Sequence, residues 1–151
     1  MAKDSGNPAR FEIRSAKPED AVRLAELATQ LGYPSSREQV ERRLAEVLPN
    51  ADHAVLVAVE NGRVIGWGHA YVCRLVESER SAELGGLVVD EEERGSGAGR
   101  LLMEHLEAWA RTKGCRAVTL RSNILRKDAH AFYHKLGYTQ IKTQHAFRKS
   151  L

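Results

Sequence analysis

The stretch from Leu87 to Leu102 constrains this chain more than any other. Leu87-Val88-Val89-Asp90 reads as the end of an apolar strand and Leu101-Leu102 as the opening of an amphipathic helix. Between them, Arg94-Gly95-Ser96-Gly97-Ala98-Gly99 places glycine at three alternate positions. A strand that runs through a glycine turn into a helix gathers free main-chain N–H groups and the positive helix end around one point. Without Cβ atoms a phosphate can approach the backbone, and glycine takes positive φ where an amide must turn inward. Tight packing is an equally good reason for such a turn, so composition alone does not choose. Two nucleotide readings weaken at once. A Walker A loop needs Lys-Ser/Thr after its last glycine, and none follows Gly99; a dinucleotide fingerprint begun at Gly95 needs Gly or Ala where Arg100 stands.

The rest of the chain supplies a scaffold for this turn. Alternation over Phe11-Glu12-Ile13-Arg14 predicts a first strand, and Pro18-Glu19-Asp20 opens a helix that Leu31-Gly32-Tyr33-Pro34 stops. Ser36, with Gln39 three residues on, predicts a capping box and a second helix carrying Val40, Leu44 and Val47. The β-rich runs 54–60 and 63–72 are joined by Asn61-Gly62, the strongest short hairpin signal. A third run, Ala82 to Val89, follows a charged loop at Arg74–Ser81. After the turn come a helix from Gly99 to Lys113, a strand at 117–120, and a helix from Asp128, read as its cap, to Leu136. Strands at 138–141 and 145–147 close the order β-α-α-β-β-β-α-β-α-β-β: an α/β fold with a mixed sheet.

With 151 residues, 42% hydrophobic and 28% charged, the chain fits one globular domain. Residues 1–9 are expected to be a flexible tail, without a signal peptide's apolar stretch, and 10–151 a single domain. No apolar run reaches the roughly 20 residues of a membrane span. Cys73 and Cys115 form no CxxC pair and suit two reduced, mostly buried thiols in a cytoplasmic protein, although a bridge is compatible with the sequence. The net charge of +3 is too small to argue for nucleic acid, and the basic part lacks interleaved aromatics. From Arg111 onward ten Lys/Arg face one acid, Asp128, whereas 77–93 carries seven acids against Arg80. One region could accept a phosphorylated ligand and the other a cation, or both could be solvated faces.

Two motifs together resemble the GNAT superfamily of N-acetyltransferases. Arg94-Gly95-Ser96-Gly97-Ala98-Gly99 matches its Arg/Gln-x-x-Gly-x-Gly/Ala pyrophosphate loop. Asn123, followed by Ala129-His130-Ala131-Phe132-Tyr133-His134-Lys135-Leu136-Gly137-Tyr138, matches its Asn and its aromatic-Tyr helix ending in Leu-Gly-Tyr. The resemblance covers nearly the whole chain. It implies a GNAT fold with a mostly antiparallel sheet flanked by helices, and acetyl-CoA as co-substrate without a metal. It also implies a bulge in the strand before the loop, beside which the pantetheine arm lies like an added strand on Leu87, Val88 and Val89. A main-chain N–H at that bulge would polarise the thioester carbonyl. Arg94, Gly95, Ser96, Gly97, Ala98 and Gly99 would hold the pyrophosphate, and Asn123 the pantetheine from the other side. Tyr133 matches the general acid that protonates the leaving thiolate; from helix spacing alone it is a core aromatic.

The implied reaction moves an acetyl group to a primary amine by direct attack on the thioester. An alkyl amine of pKa about 10 is protonated at neutral pH and needs a base. Glu83, in the strand leading to the loop, is the first candidate, and an exposed strand acid the plain alternative; His69 is the second. His130 and His134 lack a third ligand and receive no metal role, and Arg126 and Lys127 either reach the adenosine 3′-phosphate or are solvent cations. Glu77, Glu79 and Glu83 would suit a small cationic acceptor, as in the aminoglycoside or small-amine members that the C-terminal part resembles. Protein or peptide N-acetylation, and a non-catalytic acyl-CoA-binding domain on the same scaffold, remain the alternatives. The resemblance also allows a homodimer through terminal strands.

Overall fold

A computed structural model describes residues 10–151, so the expected tail at 1–9 lies outside the described residues. The chain divides into two compact units, one ending at Leu120 and one running from Arg121 to Leu151.

The first unit is a five-stranded sheet in the order β1-β2-β3-β4-β5. β1 (Glu12–Ser15), β2 (His53–Glu60), β3 (Arg63–Leu75) and β4 (Ser78–Val89) pair antiparallel, and β5 (Val118–Leu120) lies parallel to β4. Helices α1 (Ala21–Leu31) and α2 (Arg37–Val47) cover one face, and α3 (Ala98–Thr112) covers the other. The two-residue period of a strand sorts β2 between them. Val55, Val57 and Val59 pack with Leu24, Leu27, Val40 and Leu44, whereas Leu56 and Ala58 pack with Ala98 and Leu102. Leu27 and Leu102 are fully buried, each worth about 1.5–3 kcal/mol of transfer free energy.

Local signals act where the sequence puts them. Ser36 Oγ accepts from Gln39 N at 3.2 Å and Gln39 Oε1 accepts from Ser36 N at 2.9 Å, closing the capping box of α2. Asn61 (φ +50°) and Gly62 (φ +76°) both take positive φ, which makes the β2–β3 connection a type I′ turn. The charged loop expected at 74–81 is mostly strand: Cys73 pairs with Ser81 and Leu75 with Ser78, leaving Val76-Glu77 as the turn. Residues 74–80 are exposed, so this extension carries none of the apolar alternation by which a half-buried strand is recognised.

The second unit holds α4 (Lys127–Lys135). Its cap position is Arg126 and not Asp128, which lies in the first turn, where its charge complements the positive helix end. Gly137 (φ +94°) closes α4, with Tyr138 N donating to Tyr133 O at 3.0 Å. The strands expected at 138–141 and 145–147 are not formed: residues 139–151 are exposed and join no ladder among the described residues. Their alternation is β-prone, but a strand exists only by pairing.

Candidate functional site

The glycine turn has the backbone its spacing calls for. Gly95 (φ +80°) and Gly97 (φ +93°) take left-handed conformations, and Gly97 stands at the cap position of α3. Ser96 Oγ accepts from Ala98 N at 3.4 Å and Gly97 O accepts from Leu101 N at 3.1 Å. Gly99 and Arg100 lie in the first helical turn, where N–H groups lack intrahelical acceptors and the helix end is positive. A Cβ at Gly95 or Gly97 would meet no atom within 4 Å. Conformation, not crowding, therefore requires these glycines, and the concavity beside them is open. Arg94 is exposed in the same turn, while Glu93 is held by Arg10 at 3.2 Å. Main-chain donors, a positive helix end and a free-standing arginine fit a pyrophosphate.

A clasp absent from the sequence reading fixes the approach to this turn. Asp90, 5% exposed, accepts from Arg23 Nη2 at 2.9 Å and from Glu92 N at 3.2 Å. Arg23 also donates from Nε to Val64 O at 3.0 Å and pairs with Glu26. The main-chain N–H of Glu92 and the Arg23 guanidinium hold the Asp90 carboxyl below the usual carboxylate range. A lone arginine in an amphipathic helix and an aspartate at a strand end give no sign, in sequence, that they meet across 67 residues.

β4 changes character midway. Its parallel pairing with β5 covers Ala82 to Leu84 and stops there. At the same point the β3–β4 register shifts, with His69 opposite Gly86 and Ala70 opposite Leu84, so that Gly85 is the extra residue of a bulge. From Gly85 to Val89 one edge of β4 bonds to β3 and the other pairs with no strand among the described residues. The bulge aims both glycines at the α1/α2 side: a Cβ at Gly86 would lie 2.9 Å from the Trp67 ring, and one at Gly85 3.4 Å from His69 Nδ1.

That side of the sheet carries the titratable groups. His53, Tyr71 and Glu83 stand directly opposite one another across β2, β3 and β4, with Thr119 of β5 next in the row. His69 precedes Tyr71 by two residues and so shares its face. His53 Nδ1 and His69 Nε2 are hydrogen-bonded at 2.9 Å, and the His53 ring stacks on Tyr71 at 5.6 Å. Burial first, and the nearby His53 second, push the His69 pKa down to about 4. Glu83 is half-buried, with Cys73 Sγ 3.8 Å from its Oε2. Cys73 and Cys115 form no disulfide among the described residues and are only half-buried.

In the second unit, Asn123 Oδ1 accepts from Leu125 N at 2.9 Å, which leaves the amide nitrogen of this exposed side chain pointing elsewhere. Tyr133 is half-buried between Phe132 (5.1 Å) and Tyr138 (5.8 Å), and burial raises its pKa above that of a free phenol. His130 and His134 each bond a main-chain carbonyl of their own segment, Asn123 O at 2.9 Å and Tyr138 O at 3.0 Å. Arg126 and Lys127 are exposed. Among the described residues no three His, Cys, Asp or Glu side chains gather as a metal site, and no helix is long and apolar enough to cross a membrane.

Comparison with known proteins agrees with this architecture. The chain belongs to the acetyltransferase (GNAT) family, whose profile matches residues 20–138. It is 32% identical to the aminoglycoside N(6′)-acetyltransferase type 1 of Stenotrophomonas maltophilia, over 92% of this chain and 93% of that protein. It is also 32% identical to the aminoalkylphosphonate N-acetyltransferase of Salmonella typhimurium, over 85% of each. The solved structure of aminoglycoside antibiotic 6′-N-acetyltransferase AAC(6′)-Ih from Acinetobacter baumannii superposes with a TM-score of 0.82 over 93% of this chain and 99% of that one. At 20% identity that likeness shows the fold.

Proposed function

We propose that this acetyltransferase-family chain moves an acetyl group from acetyl-CoA to the primary amine of a small cationic acceptor, the amine attacking the thioester directly. One observation carries the reading: β4 offers an unpaired edge from Gly85 to Val89 and leads straight into an open cradle of N–H groups at 95–100. An extended arm ending in a pyrophosphate matches that sequence of surfaces. The relatives support the acceptor class, since both named enzymes act on amines that are small molecules.

Bound acetyl-CoA supplies an activated acetyl thioester. Arg94 and the N–H groups of Gly95, Ser96, Gly97, Ala98 and Gly99 would hold its pyrophosphate. Main-chain groups of Leu87, Val88 and Val89 would take the pantetheine as an added strand, with the Asn123 amide donating from its own unit. An N–H at the Gly85 bulge would polarise the carbonyl. Glu83 adds negative charge to the face beside the bulge, draws an ammonium there, and receives the proton that must leave before attack. Tyr133, which burial keeps protonated at neutral pH, gives its proton to the departing thiolate, whose conjugate thiol resembles cysteine at about 8.5.

The test is a panel of polyamines, aminoglycosides, aminoalkylphosphonates and N-terminal peptides, assayed by thiol release with acetyl-CoA and then with longer acyl-CoAs. Turnover confined to small amines supports the reading, turnover confined to peptides replaces it with protein acetylation, and acetyl-CoA binding without thiol release leaves a non-catalytic binder. A homodimer through 138–147, whose backbone joins no ladder, belongs to the same reading, and a monomer in sedimentation velocity removes it.

A further inference from the structure

Two protons leave the acceptor nitrogen on the way from ammonium to amide. The first departs before attack. The second departs as the C–N bond forms, when the nitrogen has lost its basicity and even a weak base can accept it. Glu83 answers for the first; the second needs an acceptor close to the thioester carbonyl, at the bulge.

The group that faces the bulge is an imidazole. A Cβ at Gly85 would sit 3.4 Å from His69 Nδ1, and because residue 85 is glycine that space is free. The other ring nitrogen, Nε2, is 2.9 Å from His53 Nδ1. His53 is half-buried and lines a cleft of about 240 Å³ with Val47, Leu48 and Trp109, past the end of β1 and away from the bulge. A continuous line of ring nitrogens thus runs from the bulge to a second opening.

We propose that His69 and His53 form a proton path, with His69 the base for the second proton and His53 its outlet. The reading rests on the acetyl-transfer function proposed above. As the C–N bond forms, the N–H bond breaks and its proton passes to His69 Nδ1. The Nε2 proton of His69 passes to His53 Nδ1, and the Nε2 proton of His53 passes to water. Each ring gains one proton and loses one, so both end neutral with their tautomers exchanged, and the electron pair of the broken N–H bond stays on nitrogen. The titratable groups around His69 are His53 from β2, Tyr71 from its own strand and Glu83 from β4. With its pKa near 4 His69 is neutral at pH 7, and its lone pair stands ready.

Three measurements test the path. Ring ¹⁵N–¹H correlation spectra of the free protein should find His69 protonated at Nε2 and bare at Nδ1; the opposite tautomer overturns the proposal, because Nδ1 could then only donate. In steady-state assays with the best amine of the panel, His69→Gln should lower kcat about 100-fold and His53→Gln about 10-fold, with KM for both substrates within about twofold. Acetyl-CoA affinity by calorimetry serves as the fold control, and if His69→Gln fails it the half-buried His53→Gln carries the test. In mixtures of light and heavy water the wild-type rate should bow downward, three protons being in flight, and His53→Gln should give a straight line. Unchanged kcat in both variants, or losses confined to KM, overturns the path while leaving the transferase standing. No turnover by the wild-type protein with any amine removes both.

Discussion

The Asp90–Arg23 clasp should be the most sensitive electrostatic point of the fold. Asp90→Ala deletes a charge-assisted bond at 2.9 Å, worth about 1.5–3 kcal/mol, and a main-chain bond at 3.2 Å, worth about 1 kcal/mol. Complete loss of a partner from a buried ion pair costs about 3–5 kcal/mol, but Arg23 keeps Glu26 and Val64 O, so the lower end applies. About 3 kcal/mol follows, or roughly 6–12 °C in Tm for a chain of this size. The pH dependence has a definite sign. The folded-state pKa of Asp90 is depressed, so its contribution is fully present above the unfolded value of about 4 and is lost as pH falls through the folded one. Urea unfolding of wild type and Asp90→Asn should therefore differ by a constant amount from pH 8 to about 5, and the gap should close below about pH 4. An Arg23→Met/Asp90→Asn double-mutant cycle should return a coupling of at least about 1.5 kcal/mol. A coupling under about 0.5 kcal/mol, or a gap that widens in acid, refutes the clasp. Because Asp90 sets the entry to the cradle, the variants should also raise KM for acetyl-CoA more than they lower kcat.

Three further substitutions separate the parts of the site. Tyr133→Phe should lower kcat about 100-fold with acetyl-CoA affinity by calorimetry nearly unchanged; wild-type turnover removes Tyr133 from the mechanism. Glu83→Gln should raise KM for a dicationic acceptor several-fold more than for a monoamine, since it removes charge from the acceptor face; an equal effect on both assigns Glu83 no electrostatic part. Gly86→Ala drives a methyl to within 2.9 Å of the rigid Trp67 ring, so it should destabilise the protein by about 1–3 kcal/mol in urea and weaken acetyl-CoA binding. A neutral result there means that the bulge can move.

Which features were legible in the sequence depends on how far apart in the chain their causes lie. The glycine turn was legible because six adjacent residues dictate their own backbone, and Asn61-Gly62 and the Ser36–Gln39 box for the same reason. The terminal strands and the Asp128 cap misled because their signals are local while the outcome is not: alternation needs a partner edge, and a cap needs a boundary. The histidine pair shows where local reading stops. Glu60 pairs with Arg63 and Val59 with Val64 around the type I′ turn. Continued unbroken, that register would set His69 opposite Ala54, on the face away from His53. The irregularity between Ala58 and Val59 shifts the ladder by one residue, so that His69 stands opposite Val55 and His53 opposite Tyr71. A one-residue slip carries every later side chain to the other face. No motif marks that slip, because the extra residue, Ile65 of β3, is a buried apolar residue beside another, Val64. The pairing that brings His53 Nδ1 to 2.9 Å from His69 Nε2 is therefore a consequence of one extra residue, Ile65, four positions before His69. It follows that deletion of Ile65 should remove the irregularity with Ala58 still opposite Gly66, so that the two imidazoles stay on one face and the glycine cradle, built locally, still forms; loss of the His53–His69 bond in ring ¹⁵N–¹H spectra of that variant would refute the register argument.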